Sequence, residues 1–106
     1  MILGCCNEIN IDVSKSHPNT SPYNGVWAVH STFNGRPVYK RNSKFMFYTE
    51  IDGPKRWVVE GTIGKTHSWG YLRNEGDVNC PEDAGTNWSH AWNHHVDSSI
   101  TVHCGR

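Results

Sequence analysis

The eleven residues from Asn87 to Asp97, NWSHAWNHHVD, hold the densest group of side chains able to do chemistry in this chain. Two tryptophans, three histidines and an aspartate fall within that span. If the segment is extended, His90, Trp92 and His94 share one face; if it is helical, His90 and His94 stack one turn apart. Either arrangement offers two imidazole ligands to a zinc or copper ion, with His95, Asp97 or His103 as candidates for the third. His90, His94 and His95 are therefore the candidate metal ligands. The competing account is plainer: surface histidines beside tryptophans that pack into the core. An irregular calcium site over Asp77, Asn79, Glu82 and Asp83 is the other metal candidate. It departs from an EF-hand loop because Pro81 takes a position that needs an oxygen ligand.

The same region supports a second chemistry. Trp69, Tyr71, Trp88 and Trp92 lie in or beside the less regular part of the chain. There a flat ring can offer its apolar face to a sugar ring while Asn93 and Asp97 exchange hydrogen bonds with hydroxyls. Trp27 and Trp57 fall in regular β-like sequence and are expected in the core. Asn34-Gly35-Arg36 has the look of a recognition tripeptide, but a tight hairpin accounts for it. No G-x-S-x-G elbow, H-E-x-x-H helix or phosphate-binding glycine loop is present, which argues against an enzyme.

These residues need a frame, and the cysteines say what kind. Cys5 and Cys6 stand at one end, Cys80 and Cys104 towards the other, with none between. An even count without C-x2-C knuckles reads as a disulfide framework in an oxidising compartment. A bridge between adjacent Cys5 and Cys6 would strain the peptide unit. Two pairings remain, and both tie the N-terminus to the C-terminal third. Two N-x-S sequons, at Asn19 and Asn87, agree with a secreted protein, and the short apolar start reads as a mature form. With ten basic and ten acidic side chains cancelling over 106 residues, there is no basic footprint for nucleic acid. No apolar run is long enough to insert in a membrane as a helix.

Apolar residues alternate between Gly, Pro, Asn and Asp punctuation, and no 3.6-residue period persists. The expected fold is all-β: one domain over residues 1–106, an antiparallel meander closing into a small barrel or sandwich with stapled termini. Ile9, Ile11 and Val13 mark the first strand, and residues 14–24 a connecting loop. Asn34-Gly35 turns a hairpin between residues 26–32 and 36–41; Asp52-Gly53-Pro54 turns another between 44–51 and 56–60. A short strand is expected over 69–73, a long polar stretch over 74–87, and a last strand over 99–103 lying against the first.

The order of these features resembles a small extracellular module that recurs in marine invertebrate and protist proteins. Its marks are YNGVW at residues 23–27, NGRPVYK at 34–40, the aromatic strand FMFY at 45–48, RWVV at 56–59, Cys-Pro-x-x-Ala at 80–84, Trp88, Trp92 and ITVHC at 100–104. The histidine-rich end departs from that pattern. The resemblance implies a secreted binding or adhesion module without catalysis of its own. The expected partner is a glycan or glycoprotein; an adhesive protein working through protein contacts and histidine–metal links is the alternative.

Overall fold

The computed structural model describes residues 4–50, 55–64 and 70–105. Eight strands form one antiparallel sheet: β1 (Glu8–Asp12), β2 (Gly25–Phe33), β3 (Arg36–Arg41), β4 (Lys44–Glu50), β5 (Lys55–Glu60), β6 (Leu72–Asn74), β7 (Trp88–His90) and β8 (Thr101–Cys104). Their order across the sheet is β7-β6-β5-β4-β3-β2-β1-β8. Seven strands thus run as a plain meander, and β8 leaves β7 to pair with the far edge, β1. The sheet curls until its two ends nearly meet, an almost closed barrel. The gap between β7 and β8 is spanned by the connecting residues, where Ser89 bridges to Val96 and the Asp97 N–H donates to the Trp88 carbonyl at 2.7 Å.

Local chemistry explains the strand boundaries. Asn34 and Gly35 both take positive φ, 54° and 75°, as a type I′ turn requires, so β2 and β3 meet in a two-residue hairpin. Between β3 and β4 the two loop residues are Asn42 and Ser43, of which only Asn42 takes positive φ, 55°. The turn expected at Asp52-Gly53-Pro54 lies outside the described residues, but the strands that flank it pair in the register that puts Glu50 opposite Lys55. The loop expected over residues 14–24 contains a short 3-10 turn, Pro18–Tyr23, with a second at Pro81–Ala84. Pro18 and Pro81 each sit in the first turn, where their missing N–H costs nothing. The expected last strand starts later, at Thr101, because Ile100 donates back to Asp97 in a turn.

Inside the curl lies the main core: Ile9, Ile11, Trp27, Tyr39, Met46, Trp57, Val59, Leu72, Trp88, Ile100 and Val102 among its members. Three of its polar tips are satisfied, while the buried Trp88 indole N–H finds no partner among the described residues. The Trp27 indole donates to the Tyr23 carbonyl at 3.0 Å, the Trp57 indole to the Val78 carbonyl at 3.1 Å and the Tyr39 hydroxyl to the Cys6 carbonyl at 2.6 Å. Alternation puts Val38, Phe47 and Val58 on the opposite face of β3, β4 and β5, where they form a second cluster with Phe33, Phe45 and Ile63. Burial on both faces is why FMFY reads as a continuous apolar run instead of an alternating one.

Of the two pairings left open by sequence, the chain adopts Cys5–Cys80 and Cys6–Cys104, with Cα–Cα distances of 5.3 and 5.7 Å. The second staples β1 to β8 beside the Ile9–Cys104 register pair. Because these bridges close loops with sequence separations of 75 and 98 residues, they remove much of the freedom of the unfolded chain. Replacing Cys6 and Cys104 together with alanine is expected to lower the unfolding free energy by about 2–5 kcal/mol, read as an earlier urea midpoint. An unchanged midpoint would mean that strand pairing alone closes the sheet.

Candidate functional site

The aromatic residues gather at one end of the curl, where the chain leaving β7 meets the turn that precedes β2. His90 ends β7, and residues 91–93 form a turn in which both Asn93 and His94 donate to the His90 carbonyl, at 3.4 and 3.0 Å. That turn brings Trp92 over the Pro18–Tyr23 segment. The Trp92 ring lies nearly parallel to His17, with centroids 6.0 Å apart and planes 9° apart, and stands 6.5 Å from Tyr23. Tyr23 in turn stacks on Tyr71 at 5.5 Å, and the Lys44 ammonium sits 4.7 Å above the Tyr71 ring. Trp92 is 39% exposed, an unusual state for so large an apolar group, and Asn93 is exposed beside it. The patch is apolar at its centre and polar at its rim.

Its position is fixed by one carboxylate. Asp97 accepts from the Ser16 hydroxyl at 2.6 Å and from both the N–H and the hydroxyl of Ser99. It also faces His90 Nε2 at 3.6 Å. His90 Nδ1 accepts from the Trp92 backbone N–H at 3.2 Å, so the neutral ring carries its proton on the nitrogen that faces Asp97. A chain of contacts thus runs from Ser16 and Ser99 through Asp97 and His90 to the backbone of the exposed tryptophan. Burial pushes the His90 pKa below its ordinary value; Asp97 opposes that, and His17 and His94 add to it. Burial would raise the Asp97 carboxyl, but hydrogen bonds from Ser16 and Ser99, with His90 nearby, hold it below the usual carboxylate range. Burial also raises the Tyr23 phenol, to about 12, so it remains a neutral hydroxyl at physiological pH.

Several expected site residues take other roles. Trp88 is 0% exposed: alternation along β7 turns its ring into the core, so it offers no face to a ligand. Asp97 is committed to Ser16 and Ser99, and works as a latch in place of a contact for sugar hydroxyls. The histidine metal set does not form. His90 is 2% exposed with Nδ1 engaged by Trp92, while His94 takes a left-handed backbone at φ 67° in the turn, so neither a strand nor a helix aligns it with His90 and His95. Among the described residues, the groups of three ligand atoms within 4.8 Å of one another are each a disulfide with Glu82, and disulfide sulfur is not a thiolate ligand. The acidic run suggested for calcium is spread out: Asp77 accepts from the Tyr48 hydroxyl and Glu82 from the Cys6 N–H. Trp69 lies outside the described residues. Tyr71, Trp92 and Asn93 are at the patch. Sequence reasoning missed His17 and Tyr23 as its members, since a proline-punctuated loop gives no sign of which distant ring it will meet.

No family model, curated protein or solved structure matches this chain.

Burial of His90 makes stability depend on pH with a definite sign, against the opposing pull of Asp97. Because folding lowers the His90 pKa below its ordinary value of 6.5, the unfolded chain takes up the proton first. Stability then falls as the pH drops below that value and levels off below the folded pKa. The Asp97 contribution has the same sign at lower pH, retained above the ordinary carboxylate value and lost as pH falls through the depressed folded one. Urea midpoints are expected to be lower at about pH 5.5 than at about pH 7.5, with a smaller difference in His90→Gln. An equal difference in the variant would assign the pH effect elsewhere.

Proposed function

We propose that this chain is a secreted, non-enzymatic binding module that recognises glycan through the aromatic patch around Trp92. The observation that carries the reading is the exposure of the Trp92 indole beside stacked His17, Tyr23 and Tyr71. A partly exposed flat ring offers the apolar face of a sugar a stacking partner, and polar neighbours such as Asn93 can bond its hydroxyls. The two disulfides support an oxidising, extracellular setting. The resemblance to a secreted adhesive module points the same way. A protein-binding, adhesive role is the alternative, favoured by the exposed Val26 and Val96, at 42% and 52%.

Screening the oxidised protein on a glycan array is expected to give saturable binding to one saccharide class that persists in chelator. Trp92→Ala is expected to abolish that binding while changing stability by no more than about 1 kcal/mol. Trp88→Ala should instead cost about 3–5 kcal/mol, as for any core tryptophan. A blank array would favour the protein-binding alternative.

A further inference from the structure

A second feature stands apart from the Trp92 patch. A cavity of about 370 Å³ opens between the Asn34–Gly35 turn and the adjoining ends of β4 and β5, lined by Asn34, Arg36, Tyr48, Thr49, Glu50 and Lys55. That volume falls in the range of small-molecule sites. Its floor is held in place. The Tyr48 hydroxyl donates to Asp77, its carbonyl accepts from the Asn34 amide at 3.1 Å, and the Arg36 guanidinium lies 4.3 Å from its ring centre. Arg36 is thereby set over an aromatic plane on a rigid type I′ hairpin, the kind of preorganisation that reduces the ordering a ligand must impose.

The charges in the cavity are not spent on each other. Among the described residues Arg36, Glu50 and Lys55 take part in no ion pair, although Glu50 and Lys55 are register partners on β4 and β5. Among the described lining residues, two cations against one carboxylate leave an excess positive charge in a chain whose net charge is zero. A guanidinium presents a planar fork that matches a carboxylate, and Thr49, Asn34 and Glu50 provide hydrogen-bonding groups around it.

We propose that this cavity is a second binding site, one that takes the carboxylate of an acidic sugar such as a hexuronate, with Arg36 as its principal contact. The cavity and its charge stand alone; the choice of a sugar over another hydroxylated carboxylate rests on the glycan reading above. The expected order of affinities is glucuronate over acetate over glucose. Lys55 adds long-range attraction and Glu50 opposes it, so their neutralisation should act in opposite directions.

The test is a chemical-shift titration of the intact, oxidised protein with D-glucuronate, D-glucose and acetate. Glucuronate is expected to give saturable shifts at residues 34–36 and 48–50, weakened about tenfold or more by Arg36→Gln. Lys55→Gln should weaken it by a smaller factor and Glu50→Gln should strengthen it; that pair of opposite effects carries the test if Arg36→Gln fails to fold. Trp92→Ala should leave the titration unchanged. Equal binding of glucose, equal binding of acetate, no saturable shifts with glucuronate, or loss of binding in Trp92→Ala would each overturn the proposal. Glucuronate binding with a blank array would sink the Trp92 reading alone, and the reverse result would sink this one alone.

Discussion

A meander leaves two edges open, and in this chain the last strand returns to the first, so that the edges become β7 and β8 and lie close together. β8 pairs with β1 through four residues, Ile9 to Asp12 against Cys104 to Thr101, and Cys6–Cys104 locks that pairing covalently. The second bridge, Cys5–Cys80, ties the same N-terminal strand to the segment before β7, so the two ends of the sheet are drawn towards each other. Without that closure the inner faces of Trp27, Trp57 and Trp88 would share no common interior. A domain of this size buries a small core, and constraint of the unfolded chain supplements what the core alone provides.

Closure also creates the surface. The residues that cross from β7 to β8 cannot continue as a strand, because β8 belongs on the other edge; they turn, bridge back at Val96 and anchor through Asp97. Trp92 lies in that turn, held from below by His90 and flanked by His17. Its exposure is a consequence of topology and does not come from a shortage of core. The cavity under Arg36 has an independent origin where the Asn34–Gly35 turn meets the ends of β4 and β5, which explains how so small a chain presents two distinct polar–aromatic surfaces.

The strands that alternate cleanly, or that flank Asn34-Gly35, were legible from sequence because their local rules agree with the tertiary fold. The two tryptophans of the NWSHAWNHHVD segment show where such reading stops. Trp88 and Trp92 look alike in sequence, yet one belongs to a three-residue strand and is buried while the other caps a turn and is exposed. What separates them is the pairing of Asn74 with Trp88 and of Leu72 with His90, contacts made across the sheet that no local pattern encodes. Asp97 was recognisable as functional-looking for its type; its part as a latch depends on Ser16, 81 residues earlier. The disulfide pairing was narrowed to two choices by covalent geometry and settled by which cysteine faces β8.

The most direct measurement is a two-dimensional NMR spectrum of the tryptophan indole N–H groups during titration with the saccharide class selected by binding. The account predicts that the Trp92 resonance moves in a saturable way while those of Trp27, Trp57 and Trp88, all buried, stay in place. A saturable shift confined to the buried indoles, or binding with no movement at Trp92, would contradict it.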